Sequence, residues 1–201
     1  MSENFVTRET RRWNGFGVAS HIEVRAPPES VWNALIDIDN KALFLSCLES
    51  TRRIGSKIGD PVRAGTRWKQ TRKQLVFGRL ARTRSVGVTC TAIDDQPPDV
   101  FPKSMSVISH AEGSAATGTL SVELIDDAED EGDRCRLVVS FALVPHSFTS
   151  KIFFTSFFGQ FLINKYSIKH VTSDMKDLAA YCELNSIHPN PDARKRQMTM
   201  K

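Results

Sequence analysis

The chain has 201 residues, 40% of them hydrophobic and 25% charged, a composition that excludes a disordered polypeptide and suits one globular core better than two. Its formal net charge of +4 conceals two blocks of opposite sign, and its longest apolar stretch, residues 152–163, is interrupted by Thr155, Ser156, Gly159 and Gln160 and is too short for a membrane span. The first residues hold no apolar run of the secretory kind, so a cytoplasmic location is expected, and Cys47, Cys90, Cys135 and Cys182 lie too far apart for metal-ligand spacing, so neither metal nor cofactor is expected.

Residues 1–14 and 185–201 are polar and read as flexible tails, the second one basic, around a single domain over residues 15–184. From Phe16 to Val24 apolar and polar residues alternate, which predicts a half-buried strand. Pro28 and Glu29 then suit the first turn of a helix whose apolar positions are Val31, Ala34, Leu35 and Ile38. Asp39 or Asn40 is placed to cap a second short helix through Lys41 to Leu48, carrying Leu43, Phe44 and Leu45 inward. Between Ser50 and Val144 turn signals divide the chain into six strands, among them Leu120/Val122/Leu124 and Leu137/Val139/Phe141/Leu143, each with one apolar face as an antiparallel sheet requires. The period then lengthens. Phe148 to Glu183 has no proline and one glycine, and its apolar residues step by three, four and seven, predicting a long helix with a bend at Gly159.

The order of strand, two short helices, six strands and a long terminal helix, together with the segment SHIEVRAPPESVWNALIDIDN from Ser20 to Asn40, resembles the helix-grip fold of the SRPBCC superfamily, which includes START-type lipid-binding domains and polyketide cyclase/dehydrase-like proteins. The resemblance covers about residues 16–183. It implies an α+β fold in which a seven-stranded curved antiparallel sheet wraps around the C-terminal helix. It also implies an apolar cavity between sheet and helix for sterols, lipids, polyketides or similar molecules, and it carries no catalytic motif.

The strand from Val62 to Lys73 has two distinct faces, and the one holding Val62, Ala64, Thr66, Trp68, Gln70 and Arg72 is expected to point inward. Trp68 would then pack against a ligand, or simply fill the core, while Gln70 and Arg72 supply sparse polar anchors. Phe141, Phe153, Phe157 and Phe161 are expected to converge on the same cavity, the helical phenylalanines acting as core or as a lid, and His110 is expected to help Gln70 and Arg72 orient the ligand and is the best single acid/base candidate. No hydrolase or metalloprotease motif is present. The function expected is therefore a non-enzymatic binding or carrier protein for a lipid-like or polyketide-like ligand. A cyclase-type enzyme and a module that docks on a membrane or partner are the alternatives.

Residues 52–84 contain eleven Lys or Arg against one acid, whereas residues 94–133 contain eleven Asp or Glu against one base. If these strands are neighbours, cross-strand pairing of opposite charges explains both blocks. Otherwise Arg63, Arg67, Lys69 and Lys73, on the outward face, form a basic patch that attracts an anionic membrane surface. Nucleic acid is the weaker partner, because exposed aromatics suited to base stacking are not interleaved with these residues.

Overall fold

The computed structural model describes residues 8–12, 15–76, 79–94, 97, 100–111, 113–126, 134–157, 159 and 169–187. These form one antiparallel sheet of eight strands with helices packed on its inner face. In chain order the strands are β1 (Arg8–Arg12), β2 (Gly15–Val24), β3 (Leu48–Ile54), β4 (Arg67–Val76), β5 (Arg79–Ile93), β6 (Lys103–Ala111), β7 (Ala116–Asp126) and β8 (Cys135–Pro145). Their order across the sheet is β1-β2-β8-β7-β6-β5-β4-β3. This is the α+β helix-grip fold. The six strands expected between Ser50 and Val144 are present, and β2 pairs with β8 across the length of the domain. The strand count differs by one. Arg8–Arg12, expected within a tail, adds to the sheet as an edge strand with Arg8 opposite Ala19 and Arg12 opposite Gly15.

Alternation decides which face is buried. On β7 and β8 the cross-strand pairs Leu120/Phe141, Val122/Val139 and Leu124/Leu137 point inward, and Leu124 and Leu137 are fully buried. Register shifts between Leu48 and Ser50, Lys73 and Leu75, and Cys90 and Ala92 are bulges, which add local twist and help a sheet to curl around its helix.

Helix α1 (Pro28–Ile36) begins as predicted, with proline in its first turn and Glu29 at its positive end, and it buries Val31, Trp32, Ala34 and Leu35. The second expected helix is only a 3-10 turn, Lys41–Leu43, and Leu43, expected inside, is 80% exposed, while Leu45 takes the buried position. The long terminal helix is likewise not continuous. Helix α2 (Phe148–Thr155) ends at Ser156, whose extended ψ of 149° breaks the helical path three residues before the expected bend at Gly159. The Ser156 hydroxyl accepts from the Gly159 amide at 3.1 Å, as an N-cap does, so one serine ends a helix and opens the next turn. A Cβ on Gly159 would sit 1.9 Å from the Phe153 carbonyl oxygen, so only glycine fits this corner.

Helix α3 (Lys169–Ile187) lies across the inner face of the sheet, burying Met175, Leu178, Ala179 and Cys182 against a core that includes Trp68, Val88, Met105 and Leu137. Polar ties fix it. Glu183 accepts from the Arg25 amide at 3.1 Å, Asp177 accepts from the amide and hydroxyl of Ser46 at 2.8 and 2.7 Å, and Asp174 pairs with Arg72 on β4. Among the described residues no helix is long and apolar enough to cross a membrane.

Candidate functional site

Between the sheet and α3 lies a cavity of about 330 Å³, the scale of a small-molecule site. Its sheet side is apolar, formed by inward residues of β4 to β8 such as Trp68, Val88, Met105, Val122, Val139 and Phe141. Val171, Met175 and Leu178 of α3 face them, and Leu35, Phe44 and Leu45 close the side beneath α1 and the 3-10 turn. Small residues shape the wall. Gly118 on β7 leaves room for Ser109 and the Phe141 ring, because a Cβ there would lie 2.6 Å from Ser109 Oγ and 3.1 Å from the ring.

The polar groups gather where β4, the 3-10 turn and the start of α3 meet. Arg72 pairs with Asp174, donates to Gln70 Oε1 at 3.3 Å, and donates to Cys47 Sγ at 2.8 Å, while the Cys47 thiol donates to Asp174 Oδ1. Burial pulls the Arg72 guanidinium down, but the Asp174 carboxylate and Cys47 outweigh it and hold the group above its ordinary value. Burial, reinforced by Asp174, pushes the Cys47 thiol up to about 12, so it is a neutral hydrogen-bonding group and not a nucleophile at physiological pH. His170, also on the cavity wall, is held below its ordinary value by burial and by Arg72. Lys41 lines the same cavity, and burial lowers its ammonium to about 8. Among the described residues no cluster of His, Cys, Asp and Glu has the make-up of a metal site.

The structure brings Trp68, Gln70, Arg72 and Phe141 to one wall, with Trp68 and Gln70 buried. It does not bring His110 there. The inward residues of β6 are Lys103, Met105, Val107 and Ser109, so His110 stands on the opposite face, exposed, with its ring 5.4 Å from that of His146. Phe153 and Phe157 are also displaced from the expected position, since both belong to the stretch around the break at Ser156 and are 44% and 88% exposed. Phe161 lies outside the described residues. Sequence reasoning missed Lys41, Cys47, His170 and Asp174, which are brought together across long gaps such as the 127 residues between Cys47 and Asp174.

On the outer face, Arg63, Arg67, Lys69 and Lys73 are exposed. The neighbours of β4 are β3 and β5, not an acidic strand, and the residue opposite Lys69 on β3 is Arg52. Cross-strand pairing of the two charge blocks is therefore overturned for the described residues of β4.

No protein-family model and no curated protein matches the sequence. Solved structures do. The chain is similar to the Zhui aromatase/cyclase from Streptomyces sp. R1128, with a TM-score of 0.62 and 12% identity over 84% of this chain and 94% of that one. It is similar to the hypothetical protein jhp0584 from Helicobacter pylori, with a TM-score of 0.60 and 13% identity over 90% and 99% of the two chains. It is also similar to Ara h 8.0201, with a TM-score of 0.52 and 14% identity over 83% and 96%. At these identities the likeness is one of fold.

Proposed function

We propose that this chain is a member of the SRPBCC superfamily that binds a small hydrophobic ligand, lipid-like or polyketide-like, between the sheet and α3. The observation that carries the reading is the cavity itself: largely apolar along β4 to β8, with the charged and titratable side chains Arg72, Asp174, His170 and Lys41 gathered at one end. Affinity comes from taking apolar ligand surface out of water, about 25 cal/mol per Å², and orientation from the few polar groups at one end. Trp68 and Phe141 supply contact area, with Gln70 and Arg72 holding the polar end in place. Leu120 is only partly buried and lines the cavity, so Leu120→Trp fills the space with little cost to the core. A neutral fluorescent probe such as N-phenyl-1-naphthylamine should bind the native chain and lose at least about tenfold in affinity in Leu120→Trp. Equal probe binding by a folded Leu120→Trp protein would remove this cavity as the site.

A cyclase-type enzyme is the second reading, favoured by the convergence of titratable groups on one end of an apolar cavity. The wall would hold a reactive chain in a folded shape while Lys41 or His170 moves a proton. Ring closure of a linear poly-β-ketone mimic, absent when Lys41 and His170 are replaced, is its test. A third reading, docking on an anionic membrane, draws support from the outer residues Arg63, Arg67, Lys69 and Lys73, which have no ion-pair partner among the described residues, and concerns the other face of the sheet.

A further inference from the structure

The cavity wall carries an imbalance of charge that the fold does not resolve. Its acid, among the described residues, is Asp174, and that carboxylate is committed to Arg72 and Cys47. Its bases are Arg72, Lys41 and His170, with Lys73 only at the rim on the exposed side of β4, and burial together with Arg72 favours the neutral form of His170. Lys41 is the remainder: among the described residues it has neither an ion-pair nor a hydrogen-bond partner, and it opens the 3-10 turn at the polar end of the cavity. Asp37 is near enough to favour its charge, yet that carboxylate accepts instead from the amide and side chain of Asn40, at 3.3 and 2.8 Å. A lysine with no protein partner in an apolar cavity is costly to keep unless a bound molecule supplies its counter-charge.

We infer that Lys41 binds the carboxylate of the ligand, making the natural occupant an amphiphilic monocarboxylate with its apolar body along β4 to β8. This rests on the ligand-binding reading above and adds the head-group chemistry to it. One negative charge beside Lys41 leaves the wall with two balanced pairs, Lys41 with the ligand and Arg72 with Asp174. The groups acting on Lys41 are Asp174 on α3, Arg72 on β4, Asp37 after α1 and Cys90 on β5. Burial outweighs the two acids and leaves the ammonium at about 8, still mostly charged in a neutral solution.

The test is displacement of N-phenyl-1-naphthylamine from the native chain and from Lys41→Met by decanoate and by 1-decanol, which share an apolar body and differ in head group. At pH 7 decanoate should bind the native chain about 10- to 100-fold more tightly than 1-decanol, the range for one hydrogen bond to a charged group. Above pH 8 this preference should fall by up to about tenfold per pH unit as Lys41 loses its proton. In Lys41→Met the preference and its pH dependence should both vanish while 1-decanol binds as before. Equal affinity of the two at pH 7, or a preference that survives in Lys41→Met or stays constant to pH 10, overturns the inference and leaves hydrophobic binding intact. Displacement by neither overturns both.

Discussion

The two faces of β4 hold the same kind of residue in opposite circumstances. On the inner face, Arg72 is surrounded by Asp174, Cys47 and Gln70, all arranged to receive its donors. On the outer face, Arg67, Lys69 and Lys73 have no ion-pair partner among the described residues, and Arg52 stands across from Lys69. Dielectric environment explains the difference. A guanidinium removed from water must be paired, because its lost hydration is worth several kcal/mol, whereas an exposed ammonium is satisfied by solvent and tolerates even a like-charged neighbour. The inner face therefore spends conformational freedom of α3 to fix a charge, and the outer face leaves its charges available.

The largest effect expected from breaking this contrast is on the inner face. Replacing Asp174 by Asn leaves Arg72 without its counter-charge. Breaking a buried pair costs about 3–5 kcal/mol, and because both side chains keep about a quarter of their surface exposed (23% and 27%) the loss should sit near or below the lower end of that range. Chemical denaturation should show it as a lower midpoint with an unchanged slope. The double variant Arg72→Met/Asp174→Leu should recover most of the loss, since it removes both charges and keeps the volume apolar. No recovery in the double variant would mean that the cluster supports α3 through Cys47 and Gln70 and not through the ion pair.

Much of this arrangement is legible in the sequence, for a physical reason. Alternation is a local signal, and in β4 it correctly separates Trp68, Gln70 and Arg72 from Arg67, Lys69 and Lys73. The same signal was available on β6, where the parity of Met105 and Val107 puts Ser109 inward and His110 outward. What failed was inference over longer distances. The polar cluster unites residues 25 to 127 positions apart, and no period connects Cys47, Arg72 and Asp174. The expected convergence of the helical phenylalanines failed for another reason: it assumed an unbroken helix, and Ser156 interrupts the helix before Phe157. Likewise the charge blocks are real, but strand order, not sequence order, decides which charges meet, and β4 lies between β3 and β5.

The outer face gives the next effect. If its charges serve an anionic membrane, each contributes about 1 kcal/mol near the surface, fading within a Debye length of ~8 Å at physiological salt. The native chain should then sediment with vesicles containing phosphatidylserine but not with neutral ones, and high salt should release it. Arg67→Glu/Lys69→Glu reverses two of the charges and should abolish sedimentation while leaving probe binding in the cavity unchanged. Equal sedimentation with both vesicle types, or with neither, would end the docking reading.

The smallest effect separates the two faces most directly. Lys69 and Arg52 are cross-strand neighbours of like charge, both exposed, and such a pair opposes folding slightly where an opposite pair would favour it. Lys69→Glu should therefore stabilise the isolated chain, by on the order of 0.2–1 kcal/mol, and the gain should shrink as salt is added. The sign is what matters. A substitution that increases stability while weakening vesicle binding would show that Lys69 is retained at a cost to the sheet, as expected of a residue kept for a partner. A destabilising Lys69→Glu would mean that the lysine already has a role in the fold, and the outer face would then be structural like the inner one.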